Sequence, residues 1–499
     1  MVFDCPRVVF AALRGNAGKT FVTLGVGACL NLRGMALAPF KKGPDYIDAA
    51  WLELAAGRPC HNLDLFLMGK EEILYSFRTH VRRVDGALVE GNRGLYDGMD
   101  QKGSCSTAEL AKLLRAPVIL VTDCGMATRT VAAAVLGCQH FDPEVAIKGV
   151  ILNRIGGSRH ESVIRRAVED HCGLPVVGAL PRSGESLFPE RHMGLLPPRE
   201  YPGASLAIAK AAGIVGRHVD VDRVWEIARS APAVEFAAPE RREEARIFLP
   251  ERLKIGIIRD SAFWFYYPEN LEVLEKCGAS LVECSALSDK KLPPVDALYI
   301  GGGFPESHAE ALAANESFRR SLREAVERGL PVYAECGGLM YLGKELLVEE
   351  RLFPMTGVFP LRFVLERTPQ GHGYTVLHVD TPNPYYRQGE ILHGHEFHYS
   401  RAADWEEGQG CASVFQMKRG RGIHGDRDGL LYKNVLATYS HVHASGVKGW
   451  VGALLEQAEG YRSNRLKERT ISADAAPGDN RVSRRKPPAV SLDSMGMCR

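Results

Sequence analysis

Cysteine is sparse in this sequence and is not arranged in pairs. The chain of 499 residues contains 12 cysteines, and no two of them form a CxxC pair. A disulfide scaffold needs a higher cysteine density in a short chain, and zinc ribbons and thioredoxin-type sites need closely paired cysteines. The sequence therefore argues against these classes and indicates a reducing compartment.

Net charge and long apolar runs are lacking as well. A formal net charge of +2 gives no basic field of the kind that nucleic-acid binding uses. No apolar run approaches the roughly 20 residues of a membrane-spanning helix. The first residues, MVFDCPRVVF, lack the charged head and long apolar core of a signal peptide. We expect a cytoplasmic protein that binds neither nucleic acid nor a membrane.

What is present is the composition of an ordinary globular protein, with 45% hydrophobic and 24% charged residues. A chain of this length predicts two or more domains. In the first half, short apolar runs alternate with amphipathic stretches. The apolar runs are RVVFAAL, MALAPFK, GALVEGN, PVILVTD, IKGVILNR and LPVVGALPR. This alternation predicts an α/β domain with a doubly wound parallel sheet.

Changes of composition predict the domain boundaries. Residues 236–252 are rich in Ala, Pro and charge, which is typical of a linker. A second series of strands and helices begins with LKIGIIRD, so the predicted domains are 1–235 and 253–458. The remaining residues, 459–499, are poor in large apolar side chains and rich in Arg, Pro and Ser, which predicts a disordered tail.

A phosphate-binding loop is predicted after the first strand, in the segment LRGNAGKT. The strict pattern G-x-x-x-x-G-K-[ST] is broken because Leu13 stands where the first glycine belongs, so a glycine-rich turn is the alternative. The position between a strand and a helix favours a nucleotide loop. Gly18 lets the backbone approach a phosphate, Lys19 adds charge and the Thr20 hydroxyl suits magnesium. Arg14 is a weaker candidate for a further phosphate contact.

Carboxylates that suit a magnesium site follow in two segments, FKKGPDYIDAAW and VEGNRGLYDGMD. Glu90 ends an apolar strand, at the edge where α/β proteins bind ligands. The other acids of these segments stand in neighbouring loops, where solvated surface acids are the alternative: Asp45, Asp48 and Asp97. Lys41 and Lys42 are candidates for contacts with phosphate or with an acidic substrate.

The segment LPVYAECGGLMYLG places Cys336 at the end of a predicted strand, directly before two glycines. A buried core cysteine is usually inert. A cysteine on a sharp strand-to-helix turn, in contrast, would expose its sulfur beside backbone N–H groups, as in a nucleophile elbow.

Several further segments occur in a fixed order between about residues 5 and 458. They are GKT at 18–20, PFKKGPDYID at 39–48, VEGNRGLYDG at 89–98, CSTAELAK at 105–112, LNR at 152–154, PERHMGL at 189–195, FYYPENLEVLE at 265–275, GGGFPE at 301–306, YAECGGLMYLG at 333–343, GHEFHYS at 394–400 and YSHVH at 439–443. Together they resemble one family, the cobyrinate a,c-diamide synthases of cobalamin biosynthesis. The resemblance implies a P-loop domain like that of dethiobiotin synthetase, followed by an α/β domain like a class I glutamine amidotransferase.

The family's reaction implies roles in the first domain. A carboxylate of cobyrinate takes the γ-phosphoryl group of ATP, and ammonia from glutamine then displaces phosphate to give an amide. Gly18, Lys19 and Thr20 would hold ATP and Mg²⁺. Glu90 and Asp45 would complete the metal site, whereas Lys41, Asp48 and Asp97 would position substrate, metal or ATP. Asn153 is a candidate for contact with the nucleotide base, and a turn residue at the strand end is the alternative.

In the second domain, the resemblance implies that Cys336 attacks glutamine and that His441 is its base. The N–H groups of Gly337 and of the glycine turn around Gly302 would form an oxyanion hole. Class I amidotransferases usually have a carboxylate two residues after this histidine, but His443 stands there. Another group must therefore orient His441, or the site works as a dyad.

Other interpretations remain open. HEFH resembles part of a zinc-protease motif, but its spacing is short by one residue, so metal binding is not expected there. FWFYYPEN is interpreted as domain-interface core. Cobyric acid synthase and nickel-sirohydrochlorin a,c-diamide synthase are rival enzymes, and a partition-type ATPase switch is a rival of another class. A homodimer is one alternative for the oligomeric state.

Overall fold

The structure, a computed structural model, describes residues 1–182, 187–191, 194–237, 252–403 and 410–474. Most of the predicted linker at 236–252 and the last part of the predicted tail lie outside these residues. In the described part of the chain, no helix combines the length and the apolar character that a membrane span requires.

The first domain contains a parallel sheet of seven strands in the order β4-β3-β5-β2-β6-β7-β8. Every residue of β2, which reads RVVFAA, is buried, as expected for a parallel strand covered on both faces. Two short pairs, β1 with β11 and β9 with β10, lie outside this sheet. The strands are β1 Val2–Phe3, β2 Arg7–Ala12, β3 Leu37–Lys42, β4 His61–Leu63, β5 Gly86–Glu90, β6 Val118–Asp123, β7 Ile147–Ile155, β8 Val176–Pro181, β9 Glu190–Arg191, β10 Gly194–Leu195 and β11 Val234–Glu235.

Helices connect these strands and cover the sheet. The Asp45 side chain caps the second helix by accepting a hydrogen bond from the Asp48 N–H, and Gly57 ends that helix in a left-handed conformation. The helices are α1 Lys19–Leu32, α2 Tyr46–Ala56, α3 Lys70–His80, α4 Thr107–Leu113, α5 Arg129–Phe141, α6 Ser158–Cys172, α7 Ala204–His218 and α8 Val221–Arg229, with a 3₁₀ turn at Pro198–Glu200.

The second domain is built on a mixed sheet of ten strands in the order β14-β12-β15-β17-β26-β25-β24-β21-β22-β27. The first five strands of this order are parallel, and the others pair in antiparallel fashion. A four-stranded sheet, β19-β18-β20-β23, and the pair β13-β16 complete the domain. The strands are β12 Lys254–Ile258, β13 Phe263–Phe265, β14 Ser280–Cys284, β15 Ala297–Ile300, β16 Gly302–Gly303, β17 Val332–Glu335, β18 Glu345–Val348, β19 Arg351–Pro354, β20 Arg362–Leu365, β21 Gly371–Val379, β22 Ile391–His398, β23 Ser400–Ala403, β24 Ala412–Arg419, β25 Arg427–Tyr432, β26 Val435–Thr438 and β27 His441–Val442.

One helix of this domain extends into the segment that was predicted to be a disordered tail. The helices of the domain are α9 Pro268–Lys276, α10 Ala309–Ala314, α11 Glu316–Glu327, α12 Gly337–Leu342 and α13 Trp450–Asp474, with a 3₁₀ turn at Pro305–His308. Residues 459–474 are therefore helical rather than disordered, as the continuation of a helix whose first part packs on the domain through buried Leu454 and Leu455. Arg465 extends the contact by pairing with Asp296 at 3.0 Å. Residues 475–499 lie outside the described residues.

The two domains share a buried apolar contact. Trp264, Phe265 and Tyr267 belong to the same core cluster as side chains of the first domain, so the interpretation of FWFYYPEN as interface core is confirmed. The Phe265 ring stacks on that of Tyr46 with a centroid distance of 4.8 Å and an interplanar angle of 6°. Offset stacking of this kind contributes about 1 kcal/mol beyond the area that the rings bury.

Candidate active sites

The predicted phosphate loop lies between β2 and α1. Gly18 has φ +91°, and a Cβ at this position would lie 2.0 Å from the Asn153 side-chain nitrogen, so only glycine fits. Asn153 donates a hydrogen bond to the Ala17 carbonyl at 2.8 Å. The carboxyl end of β7 therefore braces the loop through Asn153, while its contact with a nucleotide base stays a prediction.

Side chains from four elements, α1, β3, α2 and β5, meet beside this loop. The Thr20 hydroxyl donates to a Glu90 oxygen at 2.6 Å, and Lys41 lies 3.0 Å from the same oxygen. Lys41 also donates to Asp48 at 2.5 Å, and Lys19 lies 3.6 Å from Glu90. Parallel strands end at the same edge of a sheet, which is why β3 and β5 bring Lys41 and Glu90 together.

The charged side chains of this cluster shift the pKa values of one another. Burial lowers the pKa of Lys41, but three carboxylates around it outweigh burial and hold the pKa well above its usual value. Burial also raises the pKa of Asp48, which Lys41 nevertheless keeps below its usual value. Burial and repulsion from Asp48 raise the pKa of Asp45 to about 6. Lys19 differs, because burial lowers its pKa more than Glu90 raises it. An anionic phosphate beside Lys19 would therefore favour its charged form.

The cluster has the donor set that magnesium prefers, a hydroxyl and several carboxylates. The second Glu90 oxygen is buried and has no hydrogen-bond partner among the described residues. A buried carboxylate oxygen without a partner is costly unless a cation or a donor reaches it. Thr20, Glu90, Asp45 and Asp48 therefore fit a divalent cation.

Two predicted phosphate-end residues lie apart from the cluster. Arg14 pairs with Asp123 at 2.7 Å, and its side chain is 68% exposed. Asp97 accepts a hydrogen bond from the Gly94 N–H at 2.8 Å and lines a cavity on the side of the second domain. Asp97 thus lines the same cavity as Asp45, and no hydrogen bond or ion pair among the described residues joins it to the lysine–carboxylate cluster.

Cys336 lies on a sharp turn between β17 and α12. Its backbone has φ +48°, a conformation that non-glycine residues rarely adopt, as in nucleophile elbows. Burial raises the pKa of the Cys336 thiol well above its usual value, and Glu306 adds to this, while the Gly337 N–H works in the opposite direction. The thiol is therefore protonated in this state and needs a base before it can attack.

The base predicted from the sequence, His441, is oriented by a carboxylate that sequence reasoning missed. Glu335 is fully buried, and its Oε2 lies 3.3 Å from His441 Nδ1. Its Oε1 accepts the Val442 N–H at 3.2 Å, and the Tyr299 hydroxyl donates to Oε2 at 3.2 Å. A carboxylate that can orient His441 is thus present, and it comes from the residue directly before Cys336, the predicted nucleophile.

The sequence did contain a signal for Glu335. It is an acidic residue in the apolar strand YAE, where a buried charge requires a partner. His443, at the position of the usual carboxylate, instead lies 3.5 Å from Glu269. Of the two alternatives left by the sequence, the contacts favour orientation of His441 by another group, which is Glu335.

Two glycines of the predicted oxyanion hole are required by close packing. A Cβ at Gly302 would lie 2.5 Å from the His441 ring, and a Cβ at Gly337 would lie 3.0 Å from the Gly303 nitrogen. His441 and the Cys336 turn therefore pack against the same glycine turn. Their role in binding an oxyanion stays a prediction.

His395, which belongs to the HEFH segment, also adjoins this site. Its ring stacks on that of His441 with a centroid distance of 4.9 Å. Burial and the neighbouring His441 lower the pKa of His395 well below its usual value. His395 is therefore neutral, and Tyr267 lies within hydrogen-bonding distance of its Nδ1 at 3.2 Å.

The two sites adjoin at the domain interface. Tyr46 stands between Asp45 and Asp48 at the start of α2, and its ring lies 5.4 Å from that of His441. A cavity of about 460 Å³ extends from Asp45 and Lys42 on one side to His395 and His441 on the other. Groups released at His441 would thus enter the cavity that reaches the lysine–carboxylate cluster.

Known proteins share both halves of this arrangement. Residues 8–195 match the CobQ/CobB/MinD/ParA nucleotide binding domain, and residues 254–448 match the CobB/CobQ-like glutamine amidotransferase domain. Over 454 residues, the chain is 42% identical to the cobyrinate a,c-diamide synthase of Magnetococcus marinus, covering 90% of this chain and 96% of that protein. The chain belongs to the cobyrinate a,c-diamide synthase family.

Two further members of the family, from archaea, show the same extent of similarity. The cobyrinate a,c-diamide synthase of Archaeoglobus fulgidus is 43% identical over 448 residues, which cover 88% of this chain and 94% of that protein. That of Methanosarcina acetivorans is 39% identical over 489 residues, covering 92% and 97%. The family resemblance, the two-part α/β fold and the class of glutamine-hydrolysing ligase are therefore confirmed.

Proposed function

We propose that this family member amidates the a and c acetate carboxylates of cobyrinate, using ATP and ammonia released from glutamine. The observation that supports this most directly is the cavity shared by His441 and Asp45. A glutaminase base and a phosphoryl-transfer cluster facing one cavity suit a reaction in which ammonia made at one site is consumed at the other.

At the glutaminase site, His441 removes the thiol proton of Cys336, and the sulfur attacks the glutamine amide carbon. The amide nitrogen leaves as ammonia after taking the proton from His441, and water then hydrolyses the thioester to glutamate. Glu335 holds the Nδ1 proton of His441, so that the other ring nitrogen is free to accept the thiol proton. The N–H groups near Gly302 and Gly337 would stabilise the oxyanion.

At the synthetase site, a substrate carboxylate attacks the γ-phosphorus of ATP, and ADP leaves. Lys19 and Lys41 supply positive charge beside the phosphate loop, which favours the charge that develops on the transferred oxygens. Ammonia then attacks the acyl phosphate and phosphate leaves. Thr20, Glu90 and Asp45 would hold Mg²⁺, which would neutralise phosphate charge when bound.

The experiment that tests this function separates the two nitrogen donors. In Cys336→Ser, amidation with ammonium salts should continue near the wild-type rate, whereas amidation with glutamine should fall by roughly 1000-fold or more, because serine is a much weaker nucleophile. Cys284→Ser, a buried core cysteine of the same domain, is the matched control and should retain both activities.

Two results would contradict the proposal. Glutamine-dependent amidation that survives in Cys336→Ser would remove Cys336 from the mechanism. Wild-type protein that amidates nickel-sirohydrochlorin but not cobyrinate, in parallel assays, would replace the substrate. A cytoplasmic location and a homodimer stay predictions. A partition-type switch leaves Cys336, His441 and Glu335 without a role.

A further inference from the structure

Three cationic side chains from both domains line the cavity between the two sites. Lys42 lies at the end of β3, Arg93 follows β5, and Arg419 ends β24 of the second domain. None of these side chains has an ion pair or hydrogen bond with another residue in the described ranges. Arg419 lies over the Phe66 ring at 5.8 Å, a contact that leaves its N–H donors available.

The acidic side chains of the same cavity wall are, in contrast, already engaged. Asp45 accepts the Asp48 N–H at 2.9 Å, and Asp97 accepts the Gly94 N–H at 2.8 Å. Glu396 accepts two backbone N–H groups, at 2.6 and 3.0 Å. The hydrogen-bonding capacity that remains open on the wall therefore belongs mainly to the cations, and it suits an anionic ligand.

Lys42 is the most informative of the three cations, because the residue is only 6% exposed and its ammonium group has no partner among the described residues. Burial lowers its pKa, and the nearest acid, Asp64, only partly offsets this. Asp64 is itself occupied, since it accepts a hydrogen bond from the Tyr374 hydroxyl at 2.6 Å and from two backbone N–H groups. The Lys42 side chain lines the cavity, so a carboxylate bound there could pair with its ammonium group and favour the charged form.

We propose that Lys42, Arg93 and Arg419 form a carboxylate-recognition wall that holds acidic arms of the substrate other than the arm being activated. The inference rests on the proposed function, because it places a polycarboxylate macrocycle in this cavity. A volume of about 460 Å³ admits one edge of such a macrocycle, so that one arm reaches Asp45 while its neighbours reach the wall. Since the cations come from both domains, the site is complete only in the docked arrangement.

The wall also gives a physical reason for product release. Each amidation replaces a carboxylate by a neutral amide, which removes one charge-assisted contact from the ligand. A product that has lost two carboxylates then binds less tightly than the substrate from which it was made, and the unreacted acid displaces it.

The variants Arg419→Gln and Arg93→Gln test the wall directly. Each should raise KM for the corrinoid about tenfold, the loss expected for one charge-assisted hydrogen bond, with little change in kcat. KM for glutamine and for ATP should stay at the wild-type value. Arg419→Lys should recover much of the corrinoid affinity. The matched control is Lys418→Gln, an exposed neighbour on β24 that bonds only Gln416 within the described ranges.

Direct binding measurements separate failure of this inference from failure of the proposed function. Equilibrium dialysis should show that cobyrinate binds the wild type more tightly than its fully esterified form, and that the difference shrinks in Arg419→Gln. A corrinoid KM unchanged in both arginine variants, in a wild type that amidates cobyrinate, would overturn the wall alone. A wild type that amidates no cobyrinate would overturn the proposed function, whereas charge-selective binding in dialysis would still support the wall.

Discussion

Glu335 and His441 are 106 residues apart in the chain, yet the carboxylate Oε2 of one lies 3.3 Å from the ring Nδ1 of the other. The contact exists because β17 and β26 are parallel neighbours, with Glu335 opposite Thr438. Strand β26 ends three residues before His441, and the chain then turns back over the end of β17. The predicted nucleophile, Cys336, and the carboxylate that contacts its predicted base are therefore consecutive residues.

Glu335→Gln should lower glutamine-dependent turnover roughly 100-fold or more and leave ammonium-dependent amidation intact. Three donors point at this carboxylate, the Tyr299 hydroxyl, the Val442 N–H and His441 Nδ1–H. An amide has only one oxygen, so its NH₂ group must face one of them. Steady-state rates with both nitrogen donors provide the measurement. His443→Gln is the control. An equal loss of glutamine-dependent turnover in that variant would show that the contact between Glu335 and His441 has no particular role in the reaction.

Glu90→Gln should raise the magnesium concentration for half-maximal activity about tenfold, because it removes charge from a fully buried carboxylate that contacts both Thr20 and Lys41. The titration is best made with ammonium as the nitrogen donor, so that the glutaminase site does not contribute. Glu109→Gln, on the partly exposed face of α4, should give the wild-type curve. A superimposable curve for Glu90→Gln would exclude Glu90 from the metal site.

The affinity of the enzyme for magnesium should decrease as the pH falls through about 6, where the Asp45 carboxyl takes up a proton. The pKa of this group is raised from 3.8, so its proton is bound more tightly in the folded state. Its contribution to the free energy of unfolding therefore decreases as the pH rises from about 4 to 6. Asp45→Asn should remove the pH dependence of magnesium binding near pH 6. Asp222→Asn, an exposed acid, should not, and a pH profile unchanged in Asp45→Asn would contradict the assignment.

Docking of the two domains should be tightest at mildly acidic pH. His61 and His80 of the first domain contact the two oxygens of Glu272 at 2.8 and 3.1 Å, and Lys276 also bonds this carboxylate. Burial raises the pKa of Glu272, but the two histidines outweigh it and hold the pKa far below its usual value. Burial lowers the pKa of His61, and the neighbouring carboxylates outweigh that effect.

The directions of these pKa shifts define the pH range in which both groups stabilise the domain contact. The Glu272 contribution is present above about pH 4.5 and is lost in acid, whereas that of His61 is present below about 6.5 and is lost as the pH rises through its raised pKa. Glu272→Gln should therefore lower Tm by roughly 3 °C or more near pH 5.5 and by less at pH 9. Calorimetry at both values, with the exposed Glu283→Gln as reference, measures this. A pH-independent difference would show that Glu272 acts by packing alone.

Much of this molecule was predictable because the relevant patterns are local. Continuous apolar strands indicate a parallel sheet wherever they stand, and GKT after the first of them forms the turn that Gly18 closes. The Cys336 turn was predictable for the same reason, since a strand, one reactive residue and two glycines are consecutive. The carboxyl edge of β5 brought Glu90 to Thr20 as expected from the polarity of a parallel sheet.

Other features were decided only by tertiary structure. Nothing near His441 in the sequence points to Glu335, because strand order rather than chain proximity joins them. The contact of α13 with the second domain continues through Ala458 to Arg465, which composition does not report. The contact of Tyr46 with His441 depends on how two domains dock, and docking is governed by buried area that no local pattern encodes. The sequence by itself thus determined the two sheets and their reactive turns, and the long-range packing of side chains determined that Asp45 of one site and His441 of the other face one cavity.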